Sequence, residues 1–117
     1  MATNTAESKS ATLTRVETKL QVIELIRAHW KEIANFGIER CGVFGSFGRG
    51  TDIHDDSDVD ILVLFDPKQK TFDNYMNLAF RLEDLFGRDV DLVTVESLSP
   101  HIGPHILVEV EYVSRTP

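Results

Sequence analysis

Apolar residues in the first third of the chain recur at helical spacing. Thr14 and Glu17 have the spacing of a capping box, which predicts Thr14 as the N-cap of a helix. The segment 35–37, which ends in glycine, is typical of a helix C-terminus. Between them, apolar residues at steps of three and four predict one stripe along a helix of about 20 residues: Val16, Leu20, Ile23, Ile26, Trp30 and Ile33.

Two strands are predicted on either side of a glycine-rich segment. Residues 38–44 form the first, and residues 58–65 form the second. Because successive side chains of a strand point to opposite faces, Asp58 and Asp60 lie on one face. The β-branched residues Val59, Ile61 and Val63 lie on the other. Leucines continue the aspartate face, so past its first residues this strand is predicted to be buried on both sides, as a central strand is.

A second helix and a third strand follow. Gly87 lies where a C-cap glycine belongs, and residues 88–95 alternate as a strand does. A strand, a helix and a strand favour parallel pairing, although an antiparallel or mixed sheet stays open. After Pro104 a helix is favoured over a strand, for which the alternation of residues 108–112 would also be suitable. The residues that predict the second helix are Phe72, Tyr75, Met76, Ala79, Leu82, Leu85 and Phe86.

The composition is that of one globular domain. The chain has 117 residues, of which 42% are apolar and 26% charged, and its formal net charge is −7. Residues 1–13 are small and polar and are expected to form a flexible tail, with residues 14–117 as the domain. No apolar run approaches a membrane span or the core of a secretion signal, so a cytoplasmic protein is expected. The single cysteine, Cys41, is predicted to be a buried apolar residue.

The acidic character is concentrated where the second strand begins. Asp58 and Asp60 lie side by side, and two like charges at that separation are costly unless a cation lies between them. Mg²⁺ is the hard cation that also brings phosphates. If the third strand neighbours the second, Asp91 is the residue expected to join them, while Asp89 is expected at the surface. The chain has no cluster of basic residues along one face, which argues against non-specific nucleic-acid binding.

The glycine-rich segment Gly45-Ser-Phe-Gly-Arg-Gly50 allows a ligand to approach the backbone closely. It lacks the spacing of a dinucleotide fingerprint and the Gly-Lys-Ser/Thr of a P-loop. With three carboxylates facing it, the segment suits metal-assisted phosphoryl or nucleotidyl transfer with two metal ions. Backbone amides after Gly45 and the Ser46 hydroxyl would hold phosphates, and Arg49 would add a charge-assisted contact. An EF-hand loop does not fit, because its glycine and glutamate positions hold Ser57 and Val63.

These motifs resemble a known family. Gly45-Ser46, the polar loop, Ser57-Asp58-Val-Asp60-Ile-Leu-Val63 and Gly87-Arg-Asp-Val-Asp91-Leu-Val-Thr94 together resemble the minimal nucleotidyltransferases of the DNA polymerase β superfamily, from about Phe36 to Val113. The resemblance implies an α/β (α+β) polymerase β-like fold, with a small mixed sheet flanked by helices. It also implies Mg²⁺ held by Asp58, Asp60 and Asp91, and transfer of a nucleoside monophosphate from ATP or another NTP. Gly48 stands where the family commonly has alanine.

The resemblance also implies a partner. Proteins of this type often pair, as antitoxins, with a HEPN-domain toxin, and characterised relatives transfer AMP to a tyrosine of the toxin. Two other functions stay open: a catalytically silent module that only binds a partner, and a free-standing transferase for a small molecule, which generally carries an extra acceptor domain. The oligomeric state, homo- or hetero-oligomeric, and the preferred base also stay open.

Overall fold

A mixed sheet forms the centre of the fold. The computed structural model describes residues 15–113, so the tail predicted for residues 1–13 lies outside the described part. The sheet has the order β3-β2-β1-β4, with β1 antiparallel to both β2 and β4 and β2 parallel to β3. Its strands are β1 (Ile38–Phe44), β2 (Val59–Phe65), β3 (Val90–Thr94) and β4 (Glu111–Tyr112). The predicted small mixed sheet and the parallel strand-helix-strand unit are confirmed.

Five α-helices accompany the sheet within the described residues. They are α1 (Lys19–Ala28), α2 (Trp30–Ala34), α3 (Gly45–Arg49), α4 (Phe72–Phe86) and α5 (Gly103–Glu109). The glycine-rich segment after the first strand is therefore a short helix. For the C-terminal region the sequence allows both a helix and a strand, and each is right for a part of it. The helix ends at Glu109, and after one residue a two-residue strand follows. None of these helices is long and apolar enough to cross a membrane.

The predicted start of the first helix is wrong. The N-cap is Thr18, whose hydroxyl accepts from the N–H of Gln21, while the Gln21 side chain accepts from the Thr18 N–H. The capping box therefore lies four residues after the predicted one, whose first residue, Thr14, is outside the described range. The reason is tertiary: the N–H of Val16 donates to the carbonyl of Phe86 at 2.8 Å, and residues 15–17 lie outside the helix.

The first helix is also interrupted, and its predicted buried stripe is right at Val16, Ile23, Ile26 and Ile33 but wrong at Leu20. His29, with φ −108° and ψ 23°, separates α1 from α2, so the expected single helix of about 20 residues is two shorter ones. Leu20 was expected in the buried stripe but is 61% exposed, and Val22 is buried in its place. Trp30 packs against the core, as expected.

The core lies between one face of the sheet and the helices. It includes Val22 and Ile26 of α1, Leu78, Leu82 and Phe86 of α4, Cys41 and Val43 of β1, and Val59, Ile61 and Val63 of β2. Each such side chain contributes roughly 1.5–3 kcal/mol by leaving water. Leu62, on the opposite face of β2, is also fully buried, which confirms burial on both sides at that position.

Helix α4 connects β2 to the parallel strand β3. Thr71 caps its start by accepting from the N–H of Asn74, and Gly87 ends it with φ +66°, as the sequence predicted. The prediction that Phe72 belongs to the buried stripe is wrong. Phe72 is the first residue of the helix, is 76% exposed and lies outside the core cluster. The helix thus delivers the chain to β3 beside β2.

Candidate active site

The turn after β1 brings the backbone against an acidic side chain. Gly45 begins α3 with φ +68°, and a β-carbon built on it would lie 1.9 Å from Oδ2 of Asp60. Both the left-handed backbone and the missing side chain are therefore required at this position. Gly48, three residues further on, has the same steric limit, since its β-carbon would lie 2.9 Å from the carbonyl oxygen of Val43. This close packing explains why glycine replaces the alanine that is common there in the family that the sequence resembles.

The strand register brings the predicted carboxylates together. In the parallel pair of β2 and β3, Asp60 and Asp91 are direct partners, so their side chains lie on the same face of the sheet. Asp58, the residue before β2, is near enough for its charge to act on Asp60. Asp89 and Asp91 are both exposed, so burial does not distinguish them; the register places Asp91 opposite Asp60.

The electrostatics of Asp60 reflect this crowding. Burial first, and then the charges of Asp91 and Asp58, raise the pKa of Asp60 to about 6 from 3.8. The charge of Glu109 acts in the same direction, and Arg49 acts against it. A nearby cation would therefore stabilise the ionised form of the Asp60 carboxyl group.

The donor set suits Mg²⁺ in its chemistry. Asp58, Asp60 and Asp91 offer carboxylate oxygens, which are the ligands of hard divalent cations. Within residues 15–113, no group of three or more His, Cys, Asp or Glu side chains is arranged as a ready-made metal cluster. Mg²⁺ usually keeps several waters and binds through one or two carboxylates together with substrate phosphates. These aspartates therefore fit an ion that arrives with a nucleotide.

Arg88 supports the acidic loop (residues 51–58) that leads to Asp58. Its Nη1 donates to the carbonyls of His54 and Ser57, both at 2.9 Å, and its Nε donates to the carbonyl of Val16 at 2.7 Å. The residue is only 9% exposed. Its guanidinium carbon also lies 5.1 Å from the ring centroid of Phe47 in α3. One buried cation thus joins the acidic loop, the segment before α1 and the glycine-rich helix.

Glu109 contacts the other side of the site. Its Oε2 accepts from the N–H of Gly45 at 3.0 Å, and its Oε1 accepts from Nη1 of Arg49 at 2.7 Å. The Arg49 guanidinium, followed by the Gly45 amide, holds the pKa of the Glu109 carboxyl below its usual value. Ser46 is half-buried and Arg49 is exposed. The predicted phosphate-binding residues therefore all lie on α3, beside Asp60.

Sequence reasoning missed Arg88 and Glu109. Arg88 follows the C-cap glycine of α4, and a basic residue between a helix and a buried strand is a weak signal for a buried anchor. Glu109 gives no local signal, since it lies 64 residues from Gly45 in the sequence.

Comparisons with known proteins cover most of the chain. Residues 30–115 match the family model described as polymerase beta, nucleotidyltransferase. Among relatives, the protein adenylyltransferase MntA of Thermococcus cleftensis is 42% identical over 94 residues, which is 80% of this chain and 93% of that protein.

Solved structures give the same result. A candidate minimal nucleotidyltransferase, 34% identical, superposes with a TM-score of 0.63 over 76% of this chain and 93% of that one. A toxin–antitoxin structure with AMP-PNP is 26% identical, with a TM-score of 0.58, over 84% of this chain and 73% of that one. With the family model matched over most of the chain, this protein belongs to the polymerase β-type nucleotidyltransferase family.

Proposed function

We propose that this chain is a Mg²⁺-dependent nucleotidyltransferase that moves AMP from ATP to a hydroxyl of a partner protein, as the antitoxin of a HEPN toxin. One observation carries the proposal: Asp60 and Asp91 are direct partners on neighbouring strands, and Asp60 lies against the glycine turn. A metal-binding face and a phosphate-binding turn are then adjacent. The likeness to a protein adenylyltransferase supports AMP as the transferred group.

Asp58, Asp60 and Asp91 would hold the metal, with two ions expected. When bound, Mg²⁺ neutralises charge on the triphosphate and orients it for displacement. Asp60 is the central member, because it is half-buried and feels the charge of both others. Asp60 would therefore be the carboxylate that gains most from a bound cation.

The groups of α3 would hold the triphosphate. The amides after Gly45 and the hydroxyl of Ser46 are hydrogen-bond donors, and Arg49 brings a positive charge to a chain whose net charge is −7. In the reaction the acceptor oxygen forms a bond to the α-phosphorus, the bond to the bridging oxygen of the β-phosphate breaks, and pyrophosphate leaves. Asp91, which is exposed beside Asp60, would accept the proton of the attacking hydroxyl.

The acceptor must come from outside the site. The toxin–antitoxin structure that this chain resembles supports a toxin as its source, and the resemblance to the minimal nucleotidyltransferases implies a HEPN protein. Leu107 and Val108 of α5 are 49% and 89% exposed, and they precede Glu109, which contacts the site. Apolar side chains exposed beside the site suit a surface that binds this partner.

The test is AMP transfer to a HEPN protein encoded next to this chain. After incubation with Mg²⁺ and ATP, intact mass spectrometry should detect one or more added AMP groups on that protein. Asp58→Asn and Asp60→Asn should abolish the addition and leave the circular dichroism spectrum unchanged. Glu24→Gln, on the exposed side of α1, is the matched control and should transfer AMP normally. Undiminished transfer by both aspartate variants would refute the site.

A partner-binding module without catalysis is the second candidate. The exposed apolar side chains of α5 would serve binding whether or not AMP is transferred. This function predicts association with the HEPN protein that is independent of nucleotide, no AMP addition, and no change in melting temperature with Mg²⁺-ATP. A melting temperature raised by Mg²⁺-ATP but not by ATP with a chelator would exclude it.

A further inference from the structure

A single carboxylate holds both ends of α3. Glu109 accepts from the backbone N–H of Gly45, the first residue of the helix, and from Nη1 of Arg49, the last one. A helix of five residues is far below the length at which helices persist in water without tertiary support. The orientation of α3, and of the groups it carries, therefore depends on contacts of this kind.

The sheet fixes the position of Glu109. β4 pairs antiparallel with β1, and Val43 lies opposite Glu111. Gly45 follows β1 and Glu109 precedes β4, each two residues beyond this pair, and there the N–H of Gly45 donates to Glu109. The short strand β4 thus places the carboxylate at the start of α3, although β4 itself contributes little to the core.

Gly42 allows this strand pairing. A β-carbon on Gly42 would lie 2.6 Å from Cγ2 of Val110 and 3.0 Å from the carbonyl oxygen of Glu111. Any larger residue there would displace the segment that follows Glu109. Beyond it, the N–H of Val113 donates to the carbonyl of Cys41 at 2.8 Å. Glu109 is therefore held from both sides, by α5 before it and by β4 after it.

Arg49 keeps unused donors after this contact. Within residues 15–113 its guanidinium donates to protein only from Nη1, and 47% of its side chain is exposed. The guanidinium is planar and carries five N–H donors, so one contact restricts the group and leaves the others for a ligand. A guanidinium that is already restrained loses less entropy when it binds a phosphate.

We infer that Glu109 is a positioning residue of the nucleotidyl-transfer site, which holds the Arg49 guanidinium and the Gly45 turn in the orientation that receives the triphosphate. The inference rests on the proposed function, in which Arg49 and the turn are the triphosphate-binding groups. Glu109 acts through them and does not touch the reacting atoms.

The experiment compares two neighbouring glutamates. Glu109→Gln keeps the size of the side chain and removes its charge. Glu111→Gln is the matched control, because Glu111 lies two residues further on and pairs with Lys19 at 2.5 Å, away from α3. For each chain, the Kd for Mg²⁺-ATP is measured by titration calorimetry, KM and kcat by AMP transfer, and the order of the Arg49 Nε–H by NMR relaxation.

Glu109→Gln should raise the Kd and KM for Mg²⁺-ATP about tenfold, as the loss of one charge-assisted hydrogen bond does. It should change kcat less than about twofold and lower the order of the Arg49 Nε–H. Glu111→Gln should leave all four quantities unchanged. In an Arg49→Gln background, Glu109→Gln should raise the Kd by a smaller factor, because only its contact with the Gly45 N–H is then left to lose.

Two results would overturn the inference. Equal or tighter Mg²⁺-ATP binding by Glu109→Gln would make Glu109 a bystander or a competitor of the triphosphate. An unchanged order of the Arg49 Nε–H in that variant would show that Glu109 does not restrain the guanidinium. A wild-type chain that binds Mg²⁺-ATP without transferring AMP would refute the proposed function alone, since binding and NMR still decide the role of Glu109. Absence of Mg²⁺-ATP binding would overturn both.

Discussion

The acidic loop and helix α3 form two sides of the same site, but they are supported by different means. The loop is held by Arg88, which is 9% exposed and donates to the backbone carbonyls of four residues, Val16, His54, Asp55 and Ser57. Helix α3 is tied by the pair of Glu109 and Arg49, whose side chains are 27% and 47% exposed.

The two supports should therefore have different effects, one on the stability of the chain and the other on the orientation of α3. Removing a buried charged donor leaves carbonyls that have lost both water and partner, which is costly. An exposed ion pair contributes little to folding, because solvent screens it and both side chains lose freedom. Arg88 should therefore matter to the stability of the chain, whereas Glu109 should matter to what α3 can bind.

The largest effect on stability is expected at Arg88. Arg88→Met removes the donors to the carbonyls of Val16, His54 and Ser57, and should lower the free energy of unfolding by about 3 kcal/mol. Urea denaturation measures this loss. Arg81→Met, which removes an exposed partner of Glu32, is the control and should cost less than about 1 kcal/mol. Similar losses in the two variants would contradict the anchoring role of Arg88.

The next effect concerns the turn itself. Gly45→Ala places a β-carbon against Asp60 at a residue with φ +68°, and should destabilise the chain by about 2 kcal/mol. Gly50→Ala is the matched variant, since Gly50 has φ +74° but nothing within 4 Å of its β-carbon. It should cost about 1 kcal/mol, from backbone strain alone. Thermal denaturation of the two variants measures the difference, which is due to the contact with Asp60. Equal losses of stability in the two variants would show that the turn is not packed against that carboxylate.

A smaller effect with a defined pH dependence is expected at Asp60, between the two supports. Because its pKa is raised from 3.8 to about 6, the folded chain binds this proton more tightly than the unfolded chain does. Below about pH 4 Asp60 is protonated in both states and does not lower the free energy of unfolding. As the pH rises from there towards 6, the free energy of unfolding falls, because the unfolded chain loses this proton first. Without metal, Asp60→Asn should stabilise the chain by about 1 kcal/mol at neutral pH, after allowance for solvent screening. Equal stabilisation at about pH 4 and pH 7.5 would contradict this account.

The smallest effect on stability is expected at Glu109. Glu109→Gln should change the free energy of unfolding by less than about 1 kcal/mol, because its pair with Arg49 is solvent-exposed. Chemical denaturation beside Arg88→Met gives the direct comparison. A loss as large as that of Arg88→Met would show that the two supports work in the same way.

The sequence predicts best the elements whose pattern is strong and local. The bounds of β1 and the C-cap at Gly87 are as expected, and β2 begins one residue later than expected. These segments carry dense apolar patterns that end at glycine or at polar residues. The sequence predicts Asp91 beside Asp60 on the condition that β2 and β3 are neighbours, and the structure supplies both that pairing and its register.

The sequence predicts poorly where a distant contact decides the local structure. Thr18 is the N-cap instead of Thr14, because the N–H of Val16 bonds to the carbonyl of Phe86, and no local pattern records that contact. Arg88 lies 72 residues from Val16 and Glu109 lies 64 residues from Gly45. Both supports of the site join residues that are far apart in the sequence, and only the three-dimensional structure reveals these contacts.

The most direct measurement of the central claim is transfer from ATP that carries the radioactive label at a chosen phosphate. If the carboxylates and the glycine turn form a nucleotidyl-transfer site, the HEPN protein should acquire label from [α-³²P]ATP and none from [γ-³²P]ATP, in a reaction that needs Mg²⁺ and stops in Asp60→Asn. Label acquired from the γ-phosphate, or undiminished labelling by Asp60→Asn, would contradict the account.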